Sequence, residues 1–307
     1  MGGGGDAAGA AAIGRPETQS SGTIPVPICT RIQPMPKLIL FRCLPLALLF
    51  LLGACASTPR EPVRTAAMVK PTVLITGASR GIGYELARQY AERGWGVIAT
   101  ARDPAMAEGL QSLATKHANL RIERLDVTDF AQIDALAGRY RGVPIDILVN
   151  NAGILGDNDK QKFGTFDYSA FDLVMATNTK GPTRMFEAFV DHVAASDQKK
   201  VMNISSLVGS IGMTFGGQTF YRASKSALNM TMANLAKELR RMPEPGRKDI
   251  IIGLINPGVV DTGFAKKVPI PMITAEASAN GVIKVIDGYT RDMSGSFMDY
   301  TGKKLPW

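Results

Sequence analysis

The chain has 307 residues, 45% of them apolar and 20% charged, enough to bury a large core, which excludes a wholly disordered or collagen-like protein. Its net charge of +8 is unevenly spread: residues 1–67 hold 6 Lys+Arg against 3 Asp+Glu, leaving 29 against 24 in residues 68–307. So nearly balanced a body, with no Lys/Arg run interleaved with aromatics, leaves nucleic acid out of the expected partners.

Residues 1–36 are rich in Gly, Ala, Pro and Ser and carry no apolar period able to pack a face, so disorder is predicted there. From Met35 the text becomes MPKLILFRCLPLALLFLLGACAS, in which Lys37 and Arg42 precede an apolar stretch, Leu44–Leu52, and a small-residue end, the pattern of a signal peptide. The tail Leu52-Gly53-Ala54-Cys55 resembles a bacterial lipoprotein cleavage box, with Cys55 as the lipidated residue and weak membrane association through 37–55 as the consequence. A spanning helix needs about twenty apolar residues, and Arg42 and Pro45 interrupt this stretch. The competing expectation is translation from Met68. Either way the division is an extension, 1–67, and one domain, 68–307, which no Pro/Ser-rich linker or internal repeat breaks. All three cysteines, Cys29, Cys43 and Cys55, precede that domain, and it holds only His117 and His192, so neither a disulfide nor a metal site is expected in it.

After Met68, short apolar runs alternate with helical patterns. Thr72–Thr76, Gly96–Thr100, Arg121–Leu125, Ile145–Val149, Lys200–Ile204 and Ile250–Ile255 read as buried strands. Segments such as Ile82–Arg93 and Asp129–Arg141 are long enough for the crossover helices of right-handed βαβ units. These predict an α/β fold: a single doubly wound parallel sheet of about seven strands with helices on both faces.

The first strand runs into Thr76-Gly77-Ala78-Ser79-Arg80-Gly81-Ile82-Gly83, after which Ile82, Leu86 and Tyr90 form a helical apolar stripe. A strand, a glycine turn and a helix N-terminus make a pyrophosphate site: glycines let backbone approach the phosphates, and the helix start offers unpaired N–H groups. The spacing Gly77-x3-Gly81-x-Gly83 differs from G-x-G-x-x-G. Along the chain follow Asp126-Val127, Asn150-Asn151-Ala152-Gly153, Asn178, Ser206, Tyr221-Arg222-Ala223-Ser224-Lys225 and Pro257-Gly258-Val259-Val260-Asp261-Thr262. In this order, across Met68–Trp307, they resemble the short-chain dehydrogenase/reductase family. The ending Gly295-Ser296-Phe297-Met298-Asp299-Tyr300 with Leu305-Pro306-Trp307 is similar to the carbonyl-reductase-like branch that includes Sniffer and C-factor.

The resemblance implies an NAD(P)-dependent oxidoreductase moving a hydride between nicotinamide and a small-molecule carbonyl or secondary alcohol. Cofactor contacts are then expected from Gly77, Ser79, Arg80, Gly81, Ile82, Gly83, Arg102, Asp126, Val127, Asn151, Ala152, Gly153, Tyr221, Lys225, Pro257, Gly258, Val260 and Thr262. Hydride addition puts charge on the carbonyl oxygen, which must be hydrogen-bonded and protonated. Tyr221 is the expected donor, and Lys225, four residues on and so on the same helix face, the cation that brings the phenol closer to working pH. Ser206 is expected to hold the substrate oxygen, with Ser205 as its competitor. Asn178 resembles the family asparagine that holds a water linking the lysine to solvent; its alternative is a helix cap or turn residue.

Ala99-Thr100-Ala101-Arg102-Asp103 decides the cofactor, because a carboxylate after the second strand bonds a ribose diol whereas a cation accommodates a 2′-phosphate. Arg102 comes first and Arg80 can share the phosphate, so NADP (NADPH) is expected; a register change of one would present Asp103 and favour NAD. An apolar substrate pocket is read from Phe163, Phe166, Met213, Phe215, Phe264 and Met272, on the loops Ile154–Ser169, Leu207–Phe220 and Gly263–Ile273. The family analogy adds a homodimer or homotetramer, and dependence on a soluble nucleotide adds a cytoplasmic location, with anchoring through the N-terminal segment as the alternative. The rival function is a cofactor-binding regulatory or signalling module with little turnover.

Overall fold

The computed structural model describes residues 71–262 and 271–307. The expectations for 1–67, for the boundary at 68 and for Phe264 lie outside these residues. Among the described residues seven strands form one parallel sheet: β1 Thr72–Ile75, β2 Gly96–Ala101, β3 Leu120–Arg124, β4 Ile147–Asn150, β5 Lys200–Ile204, β6 Ile251–Asn256 and β7 Phe297–Asp299. Their order is β3-β2-β1-β4-β5-β6-β7, so the chain reverses its winding between β1 and β4. A crevice opens at such a switch point, beyond the carboxyl ends of the strands.

The helices are α1 Gly81–Glu92, α2 Glu108–Lys116, α3 Phe130–Arg139, α4 Tyr168–Met175, α5 Gly181–Ala194, α6 Thr219–Leu239 and α7 Ala275–Asp287. Strand residues alternate between two cores, as the pleat requires. On one face Val73, Ile75, Val97, Val149 and Ile255 meet Leu86 and Tyr90 of α1, Leu110 of α2 and Ile286 of α7. On the other, Leu74, Ile98, Leu148, Val201 and Leu254 meet Ile133 of α3, Phe189 of α5 and Leu228 and Met232 of α6. With both faces covered, β1, β2, β4 and β5 are buried at every position, which is why they read as unbroken apolar runs rather than alternating ones.

The strand Lys200–Ile204 falls where expected, and the other observed elements differ from the expected bounds by one or two residues, for local reasons. β4 starts at Ile147 rather than Ile145 because the Ile145 N–H is taken by the His192 carbonyl and the Asp146 carboxylate accepts from the Thr72 N–H at 2.8 Å. Side-chain caps fix other ends: Asp129 Oδ1 accepts from the Gln132 N–H at the start of α3, and Thr274 Oγ1 from the Ala277 N–H at the start of α7. The buried Lys200 ammonium donates to the Ile286 and Asp287 carbonyls, capping the C-terminal end of α7. β7, three residues long, is too short to stand out as an apolar run. Among the described residues no helix is long and apolar enough to cross a membrane.

Candidate active site

The segments after β1, β2, β3, β4, β5 and β6 converge on one cavity of about 850 Å³. Every residue expected to contact cofactor, from Gly77 to Thr262, lines it, and so do Ser206, Tyr221 and Lys225. Such a volume suits a ligand of drug size or larger.

The glycine turn is enforced sterically. Gly77 has φ +68°, and a Cβ there would stand 2.9 Å from the Ala152 Cα, so the turn after β1 and the segment after β4 touch only because the side chain is missing. A Cβ on Gly83 would fall on the Gly77 carbonyl oxygen and 2.5 Å from Asn151 Nδ2. Hydrogen bonds fix the same contact: the Asn151 and Ala152 N–H groups donate to Thr76 Oγ1, each at 3.0 Å, and Asn151 Nδ2 donates to the Thr76 and Gly77 carbonyls. The Asn151 side chain thus braces the turn, leaving the cavity to its exposed edges. From the other side the segment after β6 closes down, the Thr262 methyl standing 3.2 Å from where a Gly81 Cβ would be. This glycine-floored cradle fits a dinucleotide pyrophosphate at the α1 N-terminus.

Beyond β2, Arg102 and Arg80 both line the cavity and are exposed. Asp103 does not line it; its carboxylate accepts from the Ala105 N–H at 3.1 Å and caps the following turn. The register alternative is thereby decided by local capping: the carboxylate is used by its own loop, and a cation faces the cavity. Asp126 closes its turn in the same way, accepting from the Thr128 N–H and hydroxyl.

At the other end, Tyr221 and Lys225 lie one turn apart on α6, and Ser206 follows β5. Both serines line the cavity and differ in their partners: Ser205 Oγ, buried, donates to Asn229 Oδ1 at 2.6 Å, whereas the Ser206 hydroxyl hydrogen-bonds the Tyr221 phenol. The Leu207 N–H is anchored on Asn256 Oδ1, and Gly209 sits so close to α6 that a Cβ there would approach Lys225 Cβ to 2.9 Å. Burial pushes the Tyr221 phenol up to about 12, the Ser206 hydrogen bond offsetting part of that shift. Burial also brings Lys225 down to about 8. The Lys225 Nζ donates to the Ile204 carbonyl at 2.8 Å and stands 6.0 Å from the Tyr221 ring centroid, and burial sets the direction of the phenol's shift.

Asn178 does not line the cavity. It is fully buried in a π-helical turn, Ala176–Lys180, between α4 and α5, a wider turn of the kind that recurs at functional sites. It is no cap: its side chain accepts from the Ile154 N–H and donates to the Ile154 carbonyl, both at 2.8 Å, and to Ser224 Oγ at 3.0 Å. A Cβ on Gly153 would lie 3.2 Å from Asn178 Oδ1 and 3.6 Å from Lys225 Nζ, so the two polar groups share one small space behind Gly153.

The apolar pocket is mostly not where the aromatics suggested. Phe215 lines the cavity; Phe163 is 96% exposed, Phe166 packs edgewise on Phe163 and tilted on Phe220, and Met213 and Met272 are partly exposed outside it. Aromatic clustering beside α6 prevails over pocket lining. In their place Leu155, Leu173 and Val208 line the wall. Sequence reasoning also missed Gln161, buried, whose Oε1 accepts from the Tyr221 N–H and whose Nε2 donates to the Leu155 and Asp157 carbonyls, tying the loop after β4 to the start of α6. A glutamine in a polar loop carries no sequence signal for that role.

A profile of the short chain dehydrogenase family matches residues 71–271. The 1-hydroxy-2-glutathionyl-2-methyl-3-butene dehydrogenase of Rhodococcus sp. (strain AD45) is 34% identical over 242 residues, covering 77% of this chain and 99% of the relative. Among solved structures, the NADPH-bound carbonyl reductase from chicken fatty liver matches with a TM-score of 0.70 at 32% identity, over 77% of this chain and 98% of that one. The carbonyl reductase Sniffer of D. melanogaster matches with a TM-score of 0.66 at 28% identity, over 77% and 99%.

Proposed function

Because this chain belongs to the short-chain dehydrogenase family, we propose that it is an NADP-dependent oxidoreductase that reduces carbonyls, the reverse oxidation of secondary alcohols being open to the same residues. The observation that carries the reading is the pairing of the Ser206 and Tyr221 hydroxyls in a cavity whose opposite end is a glycine cradle flanked by Arg80 and Arg102. The glycine turn and the Asn151–Gly153 segment would hold the pyrophosphate, Arg102 and Arg80 the 2′-phosphate, and the Pro257–Thr262 segment the nicotinamide end. Bound NADPH supplies the hydride.

The chain's own residues manage the oxygen. A phenol held near 12 keeps its proton throughout the physiological range, so Tyr221 enters each reductive cycle as an acid. The Ser206 hydroxyl, already bonded to that phenol, turns to the carbonyl oxygen and shares the developing charge. As the proton leaves, the phenolate forms in a buried site where Lys225, 6.0 Å from the ring, is the nearby cation. Lys225, near 8, is itself able to pass a proton onward, and Asn178, across the space behind Gly153, positions the relay to solvent.

A nucleotide sensor would need the cradle and not the serine–tyrosine pair, so that pair favours turnover over the regulatory reading. We place the enzyme in the cytoplasm, because general secretion delivers an unfolded chain without cofactor and NADPH is an intracellular cofactor. The functional domain is assigned to 68–307, and self-association near Asn178 and Tyr221 follows from the family analogy. Oxidation of NADPH followed at 340 nm against a panel of aldehydes and ketones tests the reading. Substrate-dependent consumption supports it, and none across the panel with cofactor bound supports the sensor instead.

A further inference from the structure

Arg222 follows Tyr221 on α6 and lines the same cavity, yet the chemistry above leaves it unused. It is 8% exposed, and its Nε donates to the Gly217 carbonyl at 2.8 Å. The guanidinium lies 4.0 Å from the centroid of the Phe215 ring, and Nη1 is buried without a hydrogen-bond partner among the described residues. No carboxylate among those residues pairs with it. A cation withdrawn from water without a counter-charge is costly, and a guanidinium offers a planar fork matched to carboxylate or phosphate oxygens.

The cover over this cation is light. Phe215 is 82% exposed although its ring faces the guanidinium, and the next two residues, Gly216 and Gly217, have φ of +86° and +73° with open space around them. An anion can therefore take the place of the ring without disturbing the core. The other arginines of the cavity, Arg80 and Arg102, follow β1 and β2, whereas Arg222 is the neighbour of Tyr221 on α6.

We propose that Arg222 is a specificity-determining residue that selects carbonyl compounds bearing an anionic group, joined to the carbonyl by an apolar linker. The inference rests on Tyr221 as the proton donor. Adjacent helix positions point about 100° apart, so carbonyl and anion are bound by one wall of the cavity, with Leu155, Leu173 and Val208 against the linker.

The test compares kcat/KM for methyl-ketone carboxylates of increasing chain length with their methyl esters. Wild type is expected to prefer the best acid over its ester by roughly tenfold or more, the worth of a charge-assisted pair. Arg222→Met should erase that ratio, and Arg222→Lys should restore part of it. An acid/ester ratio near one at every length in the wild type overturns the proposal without needing a variant. So does a ratio that survives Arg222→Met, or an equal loss on acid and ester, which marks Arg222 as a clamp for the Gly217 loop. Turnover of neither form, with NADPH still consumed on the aldehyde and ketone panel, overturns this inference alone, whereas no turnover on either set overturns the oxidoreductase reading and this inference with it.

Discussion

Replacing Arg102 by Ala isolates the cofactor choice, because only NADPH carries a 2′-phosphate for the guanidinium to meet. A charge-assisted hydrogen bond contributes about 1.5–3 kcal/mol. Two features of the site put the expected loss at the lower end: Arg102 is exposed, so solvent screens its charge, and Arg80 lines the same cavity and retains part of the phosphate contact. The expected outcome is NADPH binding weakened roughly tenfold, with NADH binding changed less than about twofold. Asp103→Ala is the paired control: its carboxylate caps the Ala105 N–H, so removing it should lower the melting temperature slightly and leave both affinities alone. Titration calorimetry with each cofactor reads all four values. Equal weakening of NADPH and NADH by Arg102→Ala would make Arg102 structural, and loss of NADH affinity in Asp103→Ala would place that carboxylate on the ribose and refute the argument from capping.

The serines should separate cleanly. Ser206→Ala removes the group bonded to Tyr221 and should lower kcat by about a hundredfold with little change in melting, the order expected for losing an oxyanion donor. Ser205→Ala leaves buried Asn229 short of a partner and should cost about 1–3 kcal/mol in stability with kcat changed only a few-fold; the reverse pattern in steady-state rates and thermal melts would exchange the roles. The pH profile of reductive kcat/KM should fall as pH rises through about 8, where Lys225 gives up its proton, while Tyr221 near 12 stays protonated across the same window. A profile flat to pH 10 would take the lysine charge out of the mechanism.

The parts of the site legible in the sequence are those set by backbone: Gly77, Gly81 and Gly83 are glycines because neighbouring backbone or side chains occupy the Cβ positions, and buried runs such as Thr72–Ile75 announce a covered parallel sheet. The roles of the residues after each strand come from their resemblance to the short-chain dehydrogenase/reductase motifs, and the opening of strand ends on the crevice agrees with that placement. What stayed hidden depends on tertiary contacts between side chains. Which serine hydroxyl is taken up by packing turns on Asn229, 24 positions from Ser205, and the Ile204 carbonyl that holds the Lys225 ammonium is equally invisible in a linear motif. Phe163 and Phe166 have pocket-like composition, but Phe163 is exposed and Phe166 packs on it and on Phe220 of α6, and the position of Asn178 in a π-helical turn rather than at a cap has no signature in Thr177-Asn178-Thr179.

The central claim is that the Tyr221 phenol delivers the proton in a hydride transfer that begins from a dinucleotide cradle. Tyr221→Phe removes one hydroxyl from a ring that is otherwise buried packing, so NADPH affinity should remain within about twofold of wild type. Reductive turnover should fall at least about a hundredfold, the lower range for losing a positioned acid. Turnover near the wild-type level with NADPH bound normally would contradict the account, because no other acid among the described residues stands beside Ser206 with its proton secured by burial.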